Sequence, residues 1–558
     1  MQSTMEESTL IKDAEQENQD LQDDDEKQTF KQKLKSEFKI DRTTIAYKAF
    51  YFFFFGGFGS SFPYMPLYFR QIGLNASLVG LLAGIRPLIQ FASAPFWSVL
   101  SDKFKARKAV LLFSITAWLV MTLALLIPKP HNTVCKVKTN IVIRTGMTGG
   151  AADFPEAEAE FMQNHSSKFL NIPKQKMESF IKSRTTKSYQ LAQSLDKAVI
   201  PRKSLQNTDK QALKQRRSSG NTTASQHYQI VRDPHEINMV FIWLMVLIVV
   251  GEFLEAPTFI LADTALLQKL QERKKHYGKT RLFGSLGYAT ASFIVGALLE
   301  TTRYTYCGQS MNDYNYLFYI FAVVMGLAFI FAAFLFEFNY DDDKNGGKID
   351  ECAVWKVLLD PKYSLFMTIA WFLGFSNGLL FNFLNWYLED LGASKLLMGS
   401  ATFMRATGLV IAFFLNSFMT DRCGHVFVSF MSISSYFVLF ISLATMRNPL
   451  WAFPLELLEG LAYGTSWSTC VTYMAGATPM SGAATMQGIL QGIYWGLGGG
   501  LGAILGGVMI DQYGAVLSFF FGALLSLVFL FVFLMIYVLV NRNEKKKKEW
   551  TPIDMKES

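Results

Sequence analysis

Residues 59–102 read GSSFPYMPLYFRQIGLNASLVGLLAGIRPLIQFASAPFWSVLSD, and residues 378–421 read GLLFNFLNWYLEDLGASKLLMGSATFMRATGLVIAFFLNSFMTD. Set side by side at an offset of 319 and without a gap, Gly59, Phe62, Tyr68, Gly73, Leu78, Gly80, Arg86, Ser98 and Asp102 meet Gly378, Phe381, Tyr387, Gly392, Leu397, Gly399, Arg405, Ser417 and Asp421. These nine identities in 44 positions compare with about three expected by chance. Glu252-Phe-Leu-Glu255 likewise matches Glu456-Leu-Leu-Glu459, now at offset 204. The second offset is smaller because a long polar segment interrupts only the first copy. The chain is an internal repeat with one insertion.

The repeat lies in apolar sequence. Of the 558 residues 51% are hydrophobic and 18% charged, with 50 Phe, whereas a soluble domain carries roughly 25% charge. A disordered chain, a collagen and a small disulfide scaffold are excluded. Twelve apolar runs are each long enough to cross a bilayer: 44–70, 77–100, 108–128, 238–265, 281–299, 315–337, 362–388, 396–418, 426–446, 450–474, 484–510 and 516–540. They are too long and too uniformly apolar for barrel strands. The expected fold is an all-α membrane protein, with twelve transmembrane helices arranged as two six-helix parallel repeats. Single-file channels and seven-helix receptors are not built so, whereas rocking transporters are. The expected organisation is a cytosolic tail 1–43, a first half 44–337 carrying an insert 129–237, a central loop 338–361, a second half 362–540 and a basic tail 541–558. The first run follows more than forty polar residues, so no cleaved signal peptide is expected.

Short loops carrying Lys and Arg stay in the cytosol. Lys103, Lys105, Arg107 and Lys108 occupy loop 2–3, Lys269 to Lys279 loop 4–5, and Lys545 to Lys548 the last tail, while the alternate loops are poor in base. Both termini are therefore expected in the cytosol and the insert outside. The insert holds the sequons of Asn164 and Asn221, both placed for glycosylation; Asn75-Ala-Ser hugs the membrane and is expected bare. Of five cysteines only Cys135 and Cys307 fall outside, where a disulfide is one option for them. Residues 129–237 contain 18 Lys and Arg against nine Asp and Glu, a net of +9 that accounts for the whole chain's +8. The basic charge thus points to an outward surface for an acidic glycan or protein partner, and not to nucleic acid.

Ionisable side chains inside the bilayer mark function by default. Glu252, Glu255 and Asp263 fall within about 80° of one another on a helical wheel, one stripe. Glu456 and Glu459 are their counterparts, and Arg86 and Arg405 lie about nine residues in from the outer surface. Mutual neutralisation that merely holds helices in register is the competing reading. Asn377, Asn382, Asn385, Gln487, Gln491, Tyr494 and Trp495 fit either a polar cavity wall or hydrogen bonds between helices.

The stretches FYFFFFGGFGSSFPYMPLYFR (50–70), SDKFKARK (101–108) and YGKTRLFGSLGY (277–288) closely resemble the bacterial lactose permease, a member of the major facilitator superfamily. The large insert is more similar to an animal orphan group containing the macrophage MHC class I receptor 2 homologue. The resemblance implies that Arg281 binds substrate, that Asp263 pairs with it and that Tyr288 stacks on the solute. It places Glu459 where the permease has a proton-coupling His, and the membrane runs here contain no His. It also implies a cytosolic latch between halves made by Asp102, Lys103, Arg107 and Lys108 with Asp421 and Arg422, although Lys105 replaces the signature's usual Gly. Glu6-Glu-Ser-Thr-Leu10-Ile11 fits an acidic dileucine signal, which adds endosome or lysosome to the plasma membrane as an expected location. No nucleophile triad, metal cluster or Walker loop is present, so neither an enzyme nor a cofactor nor a metal site is expected. The sequence points to a secondary active or facilitative carrier of a small polar organic solute, with proton coupling through the span-ten acids as an option. The alternative is a receptor or scaffold using the glycosylated insert.

Overall fold

The computed structural model describes residues 44–137, 228–270, 277–338, 357–477 and 483–550. Asn164 and Asn221 lie outside these residues. The chain forms two compact units, one of residues 1–135 with 230–558 and one of 136–229. Its helices are α1 Ile45–Ser61, α2 Met65–Ile72, α3 Ala76–Lys103, α4 Arg107–Ala124, α5 Pro234–Glu255, α6 Pro257–Leu270, α7 Tyr277–Thr301, α8 Asn315–Leu335, α9 Pro361–Asp390, α10 Lys395–Thr445, α11 Ala452–Ala477, α12 Ala483–Gln491 and α13 Gly500–Trp550. Among the described residues nine stretches are long and apolar enough to cross a membrane. They cover ten of the twelve apolar runs, since residues 485–539 carry two. The first run is interrupted between α1 and α2, and the tenth lies on α11. Two of these ranges each hold two helices that meet at a non-helical glycine, α10 at Gly424 (φ 80°, ψ 158°) and α13 at Gly514 (φ 79°, ψ 164°). A π-helical turn at Gly492–Gly499 joins α12 to α13.

The identities of the repeat do the same work in both halves. Gly59 faces the Tyr288 carbonyl of α7, and Gly378 faces the Gly499 carbonyl at the foot of α13; an added Cβ would stand 2.0 and 2.2 Å from those oxygens. Gly80 meets Gly507 across the two halves, and Gly399 meets Ser292, so each second helix packs on the fifth helix of the opposite repeat. The hydroxyl of Tyr68 donates to the Leu125 carbonyl, and that of Tyr387 to the carbonyls of Leu443 and Met446. Gly73 and Gly392 both have positive φ, 116° and 79°, and the helix that follows each is capped by Asn75 or Ser394 accepting from the amide three residues on. Asn75 also donates to Asp511 at 3.0 Å, so its side chain is engaged at both ends.

The repeat extends to a position where identity is lost. Lys105 has φ 48° and its counterpart Gly424 has φ 80°. The usual Gly of the loop 2–3 signature thus answers a left-handed backbone, which costs an L-residue about 1–2 kcal/mol. Lys105→Gly is expected to stabilise the purified protein by less than about 1 kcal/mol, because Gly also gains unfolded-state entropy, and so to raise its melting temperature. Gly424→Ala is expected to destabilise it by about 1–3 kcal/mol and to lower the melting temperature. Scanning fluorimetry on the native tryptophans reads both, and a drop for Lys105→Gly would remove the explanation.

Short strands mark the side that bears the insert. β1 Thr133–Val137 pairs with β2 Tyr228–Arg232, and β3 Arg303–Tyr306 with β4 Gln309–Asn312. The β3–β4 hairpin turns on Cys307 (φ 52°) and Gly308 (φ 70°), the two positive φ values that a tight hairpin loop needs. Cys307 forms a disulfide with Cys135, their Cα atoms 5.7 Å apart. Arg232 donates to the Gln71 carbonyl at 2.6 Å, and the Gln71 side chain donates to the Asn312 carbonyl at 2.8 Å.

Polar contacts between the halves gather on this same side. Arg70 bonds Asp390 at 2.5 Å and Glu389 at 3.2 Å, its guanidinium over the Trp386 ring. Ser77 donates to Asp511 at 2.7 Å, the Lys395 amide donates to Glu300 at 2.8 Å, and Asn385 donates to the Pro63 carbonyl at 2.9 Å.

Candidate functional site

Helix α3 reaches the middle of the bundle with Arg86, whose Nε pairs with Glu252 of α5. Gln90, one turn on, donates to the other Glu252 oxygen at 2.6 Å. The guanidinium carbon lies 4.5 Å from the centre of the Phe62 ring. In the second half α10 presents Arg405 to Glu456 (3.4 Å) and Glu459 (3.7 Å) of α11, and its guanidinium carbon is 5.4 Å from the Phe381 ring centre. Phe62 and Phe381 are repeat mates, as are Arg86 and Arg405. Each half therefore builds one Phe–Arg–Glu-x-x-Glu cluster. Glu252, Glu255, Glu456 and Glu459 are all 3% exposed or less.

Each cluster holds two carboxylates for one guanidinium. Burial without water makes a charge imbalance expensive, so the second acid in each half is the unusual group. Glu255 Oε2 and both oxygens of Glu459 are buried without a hydrogen bond.

A third cluster lies toward the far side. Arg281 of α7 bonds Asp263 of α6 at 2.5 Å and the Tyr277 hydroxyl at 2.5 Å, and Tyr51 of α1 donates to Asp263 at 2.6 Å. Arg281 and Asp263 are 32% and 21% exposed, much wetter than the glutamates. The stripe of Glu252, Glu255 and Asp263 is thus divided between two sites: Glu252 meets Arg86 while Asp263 meets Arg281. Eleven residues of helix are about 16 Å, too long for one side-chain cluster. Tyr463 of α11 lies within electrostatic reach of both Arg281 and Arg405, and Tyr288 of α7 faces Arg405, Glu456 and Glu459. Tyr463 thus links the Arg281 cluster of the first half to the Arg405 cluster of the second.

Gln90, Tyr51, Tyr277, Tyr436 and Tyr463 join these clusters without having been singled out from sequence. Phe62 and Phe381 stood among the repeat identities, and a charged residue repeated together with an aromatic one was the available signal. The polar residues of spans seven and eleven are mostly tied inside the protein. Asn377 donates to the Tyr494 hydroxyl at 3.1 Å, Asn382 to the Gly378 carbonyl of its own helix, and Gln487 to the Val471 carbonyl.

At the far side Asp102 accepts from Arg107 of its own loop at 2.7 Å. Lys103 is exposed and Lys108 half-buried. Among the described residues Asp421 makes no ion pair, and Arg422 stacks its guanidinium over Phe418 at 4.5 Å. No described metal-ligating group of three or more His, Cys, Asp or Glu occurs.

Two repeats of membrane helices facing one another across a charged axis are the plan of a carrier, and residues 44–521 match the MFS_1 like family of the major facilitator superfamily. The chain belongs to that family. It is a multi-pass membrane protein and a major facilitator transporter, not an enzyme. Similar major facilitator proteins include the major facilitator superfamily domain-containing protein 6-like protein A of Xenopus laevis, 22% identical over 68% of this chain and 72% of its own length. The protein 6-like relative of Danio rerio is 22% identical over 75% of this chain and 73% of its own. Neither bears the name of the macrophage receptor that the insert resembles. Solved major facilitator structures share the fold: the nucleoside transporter NupG, with a TM-score of 0.57 and 14% identity over 89% of this chain and 99% of that one, and the D-xylose-proton symporter, with a TM-score of 0.52 and 11% identity over 87% and 96%. An inward-facing bacterial homolog of the human lysosomal transporter Spinster superposes with a TM-score of 0.54 and 13% identity, covering 91% of this chain and 98% of its own.

Proposed function

We propose that the protein carries a small polar organic solute by alternating access, binding it on the axis between Arg281–Asp263 and the two Arg–Glu clusters. The observation that supports this most is the pairing itself. Three arginines and five acids pair in three clusters within the bundle, drawn from both halves, where a structural role alone would favour apolar packing. With the insert outside and both termini in the cytosol, the Arg70, Lys395 and Asp511 contacts close the outer end, as an inward-facing carrier requires. The part-exposed Arg281–Asp263 pair is then the first charged site a cytosolic solute meets, and the drier glutamates lie deeper. Their excess negative charge suits proton coupling, with Glu459 and Glu456 carrying the proton. The plasma membrane is the proposed location, and the basic insert meets acidic glycans or a protein partner there.

The test is counterflow in proteoliposomes holding the full chain, with a pH gradient imposed in half of the samples. Arg281→Ala is expected to cut uptake by at least about tenfold, the worth of one charge-assisted bond, at unchanged expression. Wild-type rates in Arg281→Ala would remove this site. Absence of flux for every solute, together with saturable binding of heparin to the intact protein, would favour the receptor reading.

A further inference from the structure

The two Arg–Glu clusters are alike in composition and unlike in how well they are satisfied. In the first half Glu252 takes one bond from Arg86 and one from Gln90. The repeat mate of Gln90 is Leu409, which has no donor. The second cluster accordingly collects orphaned oxygens. Glu456 Oε2 and Glu459 Oε1 have only the long Arg405 contacts of 3.4 and 3.7 Å, while Glu459 Oε2 and the hydroxyls of Tyr288 and Tyr436 are buried with no hydrogen bond. Tyr436 is 0% exposed and lies within electrostatic reach of Glu459, as does Tyr288. A buried orphan costs about 1–3 kcal/mol, and native proteins keep few of them. Three unpartnered oxygens and two weakly paired ones in one cluster point to a shared partner.

Three kinds of partner are available to such a cluster. A proton cancels one charge but bonds at most one or two of the five oxygens. Water or a polyol bonds the oxygens and leaves the net negative charge of two carboxylates against Arg405. An ammonium does both, with a unit charge and three N–H donors. The walls suit it. The Tyr463 and Tyr494 rings are 5.9 Å apart and Trp467 is 4.9 Å from Tyr494, and Tyr494 lies within electrostatic reach of Glu459, so aromatic side chains of the kind that attract a desolvated cation stand beside the cluster.

We propose that the transported solute bears a protonated amine, and that its ammonium is held by Glu459 and Glu456 with the hydroxyls of Tyr288 and Tyr436. This rests on the transport reading and names the chemistry of its solute. Arg405 holds the two glutamates in place from the far side of the cluster, and the proton and the ammonium compete for the same oxygens. The N-terminal cluster, with Gln90 filling the donor position, plays the structural part.

The test uses the full chain in proteoliposomes, with three probe sets at equal concentration in potassium buffer: ethanolamine and putrescine, myo-inositol and uridine, lactate and succinate. The amines are expected to exchange and the other sets to stay silent. Glu459→Gln should lower amine exchange by about 10- to 100-fold, as loss of one charge-assisted bond requires. Leu409→Gln restores the donor that Gln90 supplies in the first half. It should lower amine exchange about tenfold while leaving the melting temperature of the purified protein equal or higher, a combination that misfolding does not produce. Exchange of the neutral or acidic probes with the amines silent would overturn the ammonium site and leave the transport reading standing. So would thermal stabilisation by sodium chloride, relative to potassium chloride, that is lost in Glu459→Gln. No exchange of any probe would remove both.

Discussion

Arg405→Met is expected to destabilise the purified protein by about 3–5 kcal/mol, because it leaves Glu456 and Glu459 buried beside each other without a counter-charge. The methionine stem fills much of the arginine's volume, so the loss reports charge and not a cavity. Neutralising the acids as well, in Arg405→Met/Glu456→Gln/Glu459→Gln, should return most of the stability, since an apolar or neutral replacement of a whole buried ion cluster is commonly neutral or better. Transport should not return with it. Arg86→Met, and Arg86→Met/Glu252→Gln/Glu255→Gln, should follow the same pattern. Melting of the detergent-solubilised protein and uptake are measured on the same preparations. A triple variant as unstable as the single one would show that the arginine acts through packing, and recovered uptake would show that the cluster is merely structural.

Gly59→Val and Gly378→Val are expected to yield no monodisperse folded protein. A Cβ at Gly59 would come within 2.0 Å of the Tyr288 carbonyl oxygen, and one at Gly378 within 2.2 Å of the Gly499 carbonyl oxygen. Both obstacles are helix backbone, which cannot turn aside as a side chain can, so the first and fifth helix of each half must separate. Overpacking on that scale exceeds the roughly 1–3 kcal/mol typical of one extra methylene. Gly326→Ala is the control: nothing lies within 4 Å of a Cβ there, and helix propensity favours the alanine by up to about 1 kcal/mol. Size-exclusion profiles of the tagged proteins compare all three. A sharp wild-type peak for Gly59→Val would refute the close approach.

The fold was largely legible because the membrane simplifies it. Each apolar run must satisfy its own backbone hydrogen bonds, so it becomes a helix, and the repeat then states which helices play equal parts. Gly59 with Gly378, Gly80 with Gly399, Tyr68 with Tyr387 and Asn75 with Ser394 were readable as equivalent positions before any contact was known. Segment ends were less so. Gly424 and Gly514, each at positive φ, are where one helix ends and the next begins, and the π turn at Gly492–Gly499 follows no apolar period. The site was legible in its charges, since any acid or arginine within the bilayer stands out against an apolar background.

Sequence by itself determined the helices, the two-fold repeat and the set of buried charged groups, because hydropathy and internal identity are properties of the chain alone. Tertiary structure decided who meets whom. It separated Asp263 from Glu252 and Glu255, although all three share one face, because distance along a helix axis is not visible on a helical wheel. It brought Tyr288 of one half to Arg405 of the other. It also showed that the repeated Arg–Glu clusters differ: Gln90 gives Glu252 a second donor, while Leu409 offers none to its mate, where Arg405 reaches the two glutamates only at 3.4 and 3.7 Å. That difference depends on which oxygens are reached by donors from other helices, and only the packed bundle brings those donors within 3 Å or leaves them out.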